Sequence, residues 1–227
     1  MVEQSAKPSP VFGIRIGELF STGIRALATH PIPLLTTAGA TFLTYAGFRY
    51  LASQSSSVLA GIGFDLVGLV LSSVIALPWY RAALDAVDGK HSSPAALIGE
   101  LRSFKDQLVA SLFFWAGVLF GLRYLFGLPS IFVVVMYAFY GYIVAERTHP
   151  GGLRALGASV LLGQGRRIAI GAIGALLLIL NLFGAIAIGF EDLNATTRWV
   201  LTIIGLLITT NISMVIGAVL YRHVRSS

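Results

Sequence analysis

The chain has 227 residues, of which 56% are apolar and only 11% are charged. Soluble domains carry charge on about a quarter of their residues, so this composition excludes an ordinary soluble domain and predicts an integral membrane protein. The net charge of +6 is better explained by loops that face anionic lipid headgroups than by nucleic acid. The chain contains no cysteine, which excludes disulfides, a thiolate nucleophile and thiolate metal ligands.

The first thirty residues hold a tail and an amphipathic helix rather than a membrane span. Residues 1–10 are polar and contain two prolines, which predicts a flexible N-terminal tail. In residues 11–29, apolar side chains recur at helical spacing and charged side chains fall between them. Such a segment is expected to lie in the membrane interface. It is predicted to end at His30, because the residue before a proline disfavours the helical conformation.

Six apolar runs follow, and their lengths suit transmembrane helices across a bilayer core of about 30 Å. The predicted spans are residues 33–48, 58–80, 107–126, 130–145, 168–190 and 199–221. Residues 85–91 are predicted to form a polar loop, and residues 150–167 a second interfacial helix. The sequence therefore predicts one all-α domain over residues 11–227, an integral membrane protein with six transmembrane helices and amphipathic interfacial helices on one face.

Lysine and arginine alternate between the gaps that separate these runs. Thirteen of the sixteen fall before the first, third and fifth spans or after the sixth. The other three gaps hold only Arg49, Arg123 and Arg198, one in each. Cytoplasmic loops collect Lys and Arg, whereas translocated loops do not. The pattern therefore predicts that both termini and the crowded gaps lie in the cytoplasm.

Asp65 is the only charged residue well inside a predicted span, and an ionisable group there is a functional candidate. At the rise of an α-helix, Asp65 lies roughly 24 Å from Arg81 at the inner face, close to the depth of Arg49 and Arg123. One interpretation is an intramembrane ion pair of Asp65 with Arg123 or Arg49 that holds two helices together. The other is a proton-coupled or ion-coupled site. The matching depth of the arginines favours the ion pair.

Few other polar groups lie inside the spans. Asn181 and Asn211 are predicted to make polar contacts between helices, of the kind that contributes about 0.6 to 2 kcal/mol. Small residues four positions apart in the third and sixth spans predict close packing, within the chain or between chains. No hydrolase, zinc-binding or nucleotide-binding motif is present, so no catalytic residue, cofactor-binding residue or metal site is predicted.

Basic side chains on the two interfacial segments are the candidates for contact with lipid headgroups. They are Arg15, Arg25, Arg154, Arg166 and Arg167. The favoured function is a non-enzymatic membrane protein that contacts lipid or acts as a scaffold. The alternative is a small transporter or channel subunit with Asp65 as its coupled site. Anionic membrane lipids are the expected partners, a homo-oligomer or a membrane-protein partner is left open, and nucleic acid is not expected.

Two of the inner segments are similar to those of a known group of proteins. Residues 154–167 contain the pattern A-L-x-x-S-x-x-L-x-x-G-R, and residues 81–89 contain R-x-A-L-x-x-x-x-G. Both resemble segments of bacterial six-pass membrane proteins related to the membrane domain of glycerophosphoryl diester phosphodiesterases. The resemblance implies a multi-pass protein of the bacterial inner membrane, tied to lipid or envelope upkeep. It does not imply phosphodiesterase activity, because in fused members that chemistry belongs to a separate soluble domain.

Overall fold

The computed structural model describes residues 15–124 and 126–226, apart from the side chains of Pro94 and Ala95. Every regular element in these ranges is helical. The α-helices are α1 (Ile16–Thr29), α2 (Pro31–Gln54), α3 (Val58–Ile75), α4 (Leu77–Val87), α5 (Pro94–Gly99), α6 (Phe104–Tyr124), α7 (Leu128–Met136), α8 (Tyr140–Glu146), α9 (Gly152–Leu162), α10 (Arg167–Gly184) and α11 (Ala195–Arg225). Short 3₁₀ helices cover Glu100–Ser103 and Ile186–Gly189. The predicted tail, residues 1–10, lies outside the described residues.

Five helical stretches among the described residues are long and apolar enough to cross a membrane. They are Val58–Val87, Ala96–Tyr124, Leu128–Glu146, Arg167–Gly184 and Ala195–Arg225. These correspond to the last five predicted spans. The first predicted span lies within α2, a continuous helix of 24 residues, but threonines, tyrosines and prolines dilute its apolar character and it is not one of the five. The all-α class is confirmed, whereas the count of six spans stays a prediction.

Most of the apolar surface of these helices faces outwards. Only 17% of the α10 span is buried and only 28% of the apolar window of α11. Leu43, Phe132 and Ile168 are each more than 70% exposed. Soluble proteins rarely expose contiguous apolar area on this scale. Hydrocarbon is the solvent in which such a surface is favourable, so the helices are compatible with a polytopic membrane protein.

Helix α11 is a central element of the bundle, because α1, α2, α4 and α10 all pack against it. Helix α1 presents a buried stripe of Leu19, Gly23 and Ala26. Gly23 allows the close approach, since a Cβ at this position would lie 2.5 Å from Cγ1 of Ile216 on α11. The described part of the first amphipathic segment is therefore helical as predicted, residues 11–14 lie outside the described residues, and the buried stripe of α1 is covered by the bundle itself.

The fourth predicted span is not one continuous helix. Helix α7 ends at Met136 and α8 begins at Tyr140. Ser159 of α9 closes this break: its Oγ donates to the Met136 carbonyl oxygen at 3.2 Å and accepts from the Phe139 N–H at 3.1 Å. Within a bilayer, a helix can be interrupted only where protein satisfies the freed backbone groups. Helix α9, predicted as an interfacial helix, therefore also serves as the cap of an interrupted span.

Other predicted boundaries also differ from the structure: the second predicted span is divided between α3 and α4 at Ala76, and the ends of α4 and α10 are displaced. Helix α4 continues to Val87, so Asp85 lies on a helix rather than in the predicted loop, one turn after its ion-pair partner Arg81. Helix α10 ends at Gly184, and the remainder of the fifth predicted span turns into the 3₁₀ helix Ile186–Gly189. At the ends of both α4 and α10 the hydropathy of the sequence does not change where the backbone geometry changes. The sequence pattern therefore does not show where these helices end.

The contact between α10 and α11 predicts a position-specific effect on stability. Gly184 and Gly205 face each other, and a Cβ at position 205 would overlap the Gly184 carbonyl oxygen. We expect Gly205→Ala to lower the free energy of unfolding by about 1–3 kcal/mol, because backbone rather than a flexible side chain must move. Thermal unfolding in detergent measures this loss.

The matched control for this variant is Gly39→Ala in α2, where an added Cβ meets nothing within 4 Å. There we expect a gain of about 0.5–1 kcal/mol, because alanine is the better helix former. Equal stability of the two variants would contradict the close contact between α10 and α11.

Candidate functional site

One end of the bundle, here named the charged end, joins α4, α8 and α11 through Asp88, Glu146, Tyr221, Arg222 and Arg225. The Glu146 carboxylate accepts a hydrogen bond from the Tyr221 hydroxyl at 2.6 Å and pairs with both arginines. Arg222 also donates to the two carboxylate oxygens of Asp88, at 2.9 and 2.7 Å. Cations in the last turn of a helix also interact favourably with its dipole. These contacts fix the end of α11 against α4 and α8.

The remaining described carboxylates at this end are engaged as well. Asp106 at the start of α6 accepts a hydrogen bond from the Gly151 N–H at 3.1 Å. This bond fixes the turn before α9, where Gly151 has a φ of +100° that favours glycine. The other ion pairs are Arg15 with Glu18, Arg81 with Asp85, Lys90 with Asp88, and Arg147 with Glu100. Each negative charge described at the charged end therefore has a partner within the chain.

Six basic side chains at the same end have no ion-pair partner among the described residues. They are Arg25, Arg102, Lys105, Arg154, Arg166 and Arg167. All of them are exposed except Arg166, which is half-buried. Four of the five residues predicted to meet lipid headgroups belong to this set, and the fifth, Arg15, pairs with Glu18 at 2.7 Å. The uncompensated charge of this end is therefore positive only.

At the opposite end, the structure brings Asp65 together with Arg49. Nη1 of Arg49 donates to both carboxylate oxygens of Asp65, at 2.9 and 2.7 Å. The pair links α2 to α3, with the Asp65 side chain 26% exposed and that of Arg49 61% exposed. Arg123 lies exposed near the end of α6 and has no ion pair with a described residue. The bidentate contact favours a structural role for Asp65 in holding the α2–α3 hairpin.

The two intramembrane asparagines contact other residues rather than each other. Asn211 is fully buried, and its Oδ1 accepts from the Trp79 indole N–H at 2.8 Å, which joins α11 to α4. Asn181 donates from Nδ2 to the Ser213 Oγ at 3.1 Å, which joins α10 to α11. Both contacts therefore cross between helices, but with partners that the sequence pattern did not indicate.

A buried polar cluster between α3 and α6 was missed by the sequence reasoning. Gln107 is fully buried and donates to the Ser73 carbonyl oxygen at 3.0 Å, while the Trp115 indole N–H donates to the Ser73 Oγ at 2.7 Å. The Ser111 hydroxyl bonds to the Gln107 carbonyl oxygen. Residues 107, 111 and 115 are four positions apart and lie on one helical face. That spacing is the signal that could have identified the cluster.

No family model, no curated protein and no solved structure matches this chain. The geometry and charge of the two ends are therefore the basis for assigning a function. Of the two ends, the charged end has the larger set of side chains available to an external partner.

The Glu146 contacts predict that this carboxylate stabilises the bundle. We expect Glu146→Gln to lower the free energy of unfolding by about 1–3 kcal/mol, because two arginines lose their charged partner in a sheltered position. Thermal unfolding in detergent tests this. The control is Glu191→Gln, at an exposed residue that has no side-chain partner among the described residues, and its stability should match the wild type. An unaltered Glu146→Gln protein would show that Asp88 alone holds the end of α11.

Proposed function

We propose that this chain is a non-enzymatic, multi-pass protein of the bacterial cell (inner) membrane that contacts anionic lipid headgroups in membrane or envelope upkeep. The observation that carries the proposal is the sorting of charge at the charged end. The described carboxylates there are paired with groups of the same chain, whereas six basic side chains have no ion-pair partner among the described residues. A surface whose unpaired charge is positive only, next to apolar helices, fits an anionic membrane surface.

The energetic scale supports this reading of the charged end. Each Lys or Arg near an anionic leaflet contributes about 1 kcal/mol, and the contribution decays within a Debye length. Five such side chains lie on α1, α6, α9, α10 and the 3₁₀ helix Glu100–Ser103, and Arg166 immediately precedes α10. Their sum is sufficient for preferential contact with anionic lipid without an enclosed binding site.

The orientation we propose places the charged end and both termini in the cytoplasm. The excess of lysine and arginine on this side supports it. The resemblance of residues 81–89 and 154–167 to segments of bacterial six-pass membrane proteins supports a bacterial inner-membrane location and a link to lipid or envelope upkeep.

The alternative function, a small transporter or channel subunit, draws on the interrupted span of α7 and α8, since broken helices are a feature of many transporters. Its coupled site would be Asp65. Two observations weigh against it. Asp65 binds Arg49 through both oxygens, and Ser159 satisfies backbone groups at the break, so neither feature supplies a free polar group along a path.

Lipid analysis of the purified protein tests the proposed function. We expect anionic phosphatidylglycerol to be enriched in the lipid that copurifies with the wild type in mild detergent. The triple variant Arg25→Gln, Lys105→Gln and Arg154→Gln should lose most of this enrichment, because three unpaired charges of about 1 kcal/mol each are removed. Quantitative mass spectrometry of the extracted lipid measures it.

The control is the double variant Arg123→Gln and Arg198→Gln, which removes two arginines of the opposite end that have no ion-pair partner among the described residues. Its lipid profile should equal that of the wild type. A wild-type protein without anionic enrichment, or equal losses in both variants, would refute the proposal.

The absence of cysteine makes a direct test of orientation practical. Ser56 lies exposed between α2 and α3, and Gln164 lies exposed between α9 and α10. In spheroplasts, a membrane-impermeant maleimide should label Ser56→Cys at once and Gln164→Cys only after permeabilisation. The reverse order of labelling would place the charged end outside and would remove the basis for contact with the inner leaflet.

A further inference from the structure

A cleft of about 280 Å³ opens between α10 and α11, beside the break between α7 and α8. On α10 it is lined by Ile170, Ile173, Gly174 and Leu177, which form one stripe at helical spacing. Ile170 and Ile173 are buried, whereas Gly174 is exposed. The cleft therefore has a buried floor and an open side that faces the surroundings of the bundle.

The residue on the open rim of the cleft, Gly174, has no side chain. A Cβ at Gly174 would meet no atom within 4 Å, so nothing in the chain fills the space above it. Across the cleft, Gly217 of α11 lies directly against the Tyr142 hydroxyl. The opening is thus a lateral groove that an alkyl group could enter from the bilayer.

Three of the four hydroxyl groups that line the cleft donate to backbone carbonyl oxygens, and the fourth belongs to Tyr80. The hydroxyl of Tyr142 donates to the Met214 carbonyl oxygen at 2.7 Å. Thr210 and Ser213 donate to carbonyl oxygens one turn earlier on α11, at 2.5 and 2.9 Å. An occupant therefore needs no hydrogen-bonding group of its own, and a polar solute would leave its own groups unpaired at a cost. This wall selects a hydrocarbon chain.

Unpaired cations lie at the charged end of the same helix. A second cavity of about 280 Å³ is lined by residues 165–169, including Arg166 and Arg167. The Arg166 carbonyl oxygen accepts the hydrogen bond of the Ile170 N–H at 3.0 Å, so Arg166 lies one turn from the first residue of the cleft. From Arg167 to Leu177 the helix rises roughly 15 Å. The two arginines at the start of α10 are thus followed along the helix by the apolar groove. A phospholipid has the same order, with a charged headgroup followed by an acyl chain.

We propose that this groove binds one acyl chain of an anionic phospholipid whose phosphate is held by Arg166 and Arg167. The proposal rests on the function proposed above and deepens it, since it replaces diffuse attraction with one built site. Arginine recognises phosphate through paired N–H donors, and neither arginine has an acidic partner among the described residues that would compete.

A substitution that fills the groove without disturbing the fold tests the site. Gly174→Phe places a ring in the open space above Gly174, and Gly47→Phe makes the same change at an exposed glycine of α2 where an added Cβ also meets nothing within 4 Å. Delipidated protein in detergent is titrated with phosphatidylglycerol, and native mass spectrometry measures the 1:1 complex. We expect affinity to fall roughly tenfold or more in Gly174→Phe, because two buried methylene groups alone account for such a factor. Gly47→Phe should bind like the wild type.

The headgroup half has its own test. The double variant Arg166→Gln and Arg167→Gln should lose the preference for phosphatidylglycerol over phosphatidylcholine while it still binds both. Glycerol phosphate, which has the charge but no chain, should not displace phosphatidylglycerol from the wild type. Displacement by glycerol phosphate, or an unchanged preference in the double variant, would overturn the assignment of phosphate and chain to one site.

The outcomes separate this inference from the broader function. If Gly174→Phe binds phosphatidylglycerol as tightly as Gly47→Phe while the triple variant of Arg25, Lys105 and Arg154 still loses anionic enrichment, the groove is not the site and the broader function stands. If the wild type shows neither enrichment nor a 1:1 complex, both are overturned.

Discussion

The carboxylate of Glu146 is the contact on which the charged end depends. Its side chain is only 10% exposed and meets a tyrosine hydroxyl and two guanidinium groups from the end of α11. A charge this sheltered is stable only when it is paired. Since α1, α2, α4 and α10 pack on α11, the position of this helix end bears on the placement of these four helices.

The same contact decides which positive charges can reach a partner. Glu146 and Asp88 neutralise Arg222 and Arg225 within the bundle, so the C-terminal helix adds little to the basic surface. The side chains that stay free lie on peripheral elements, such as Arg154 on α9 and Arg167 on α10. The thirteen cations predicted on one side are therefore not equivalent. Some of them form ion pairs within the bundle, and a smaller set on peripheral elements stays available to a partner.

Helices that rest on a periodic pattern of apolar residues were predictable from the sequence. Which of several possible residues a polar side chain contacts was not. Hydropathy and helical spacing are local, so α1 and the apolar helices follow from them. Asp65 had two arginines at equal depth, and only the pairing of α2 with α3 selects Arg49. The Ser159 contact could not be predicted, because a serine on an amphipathic helix carries no mark of the broken backbone twenty residues earlier that it will cap. Gln107 was missed because its partners lie on α3, a helix whose apolar pattern hides Ser73.

The break between α7 and α8 separates a part of the span that lies at the periphery of the bundle from a part that lies at its centre. In α7 only Ser130 is buried, whereas every residue of α8 from Tyr140 to Ala145 is buried. An amphipathic helix presents one face to the bundle, whereas here burial changes from one residue in α7 to nearly the whole of α8. The turn at residues 137–139 makes that change within three residues, and Ser159 removes its backbone cost. It carries Glu146 to the end of α11 and leaves Ala138 and Phe139 on the wall of the lateral groove. The turn thus contributes both to the contacts of the charged end and to the wall of the groove.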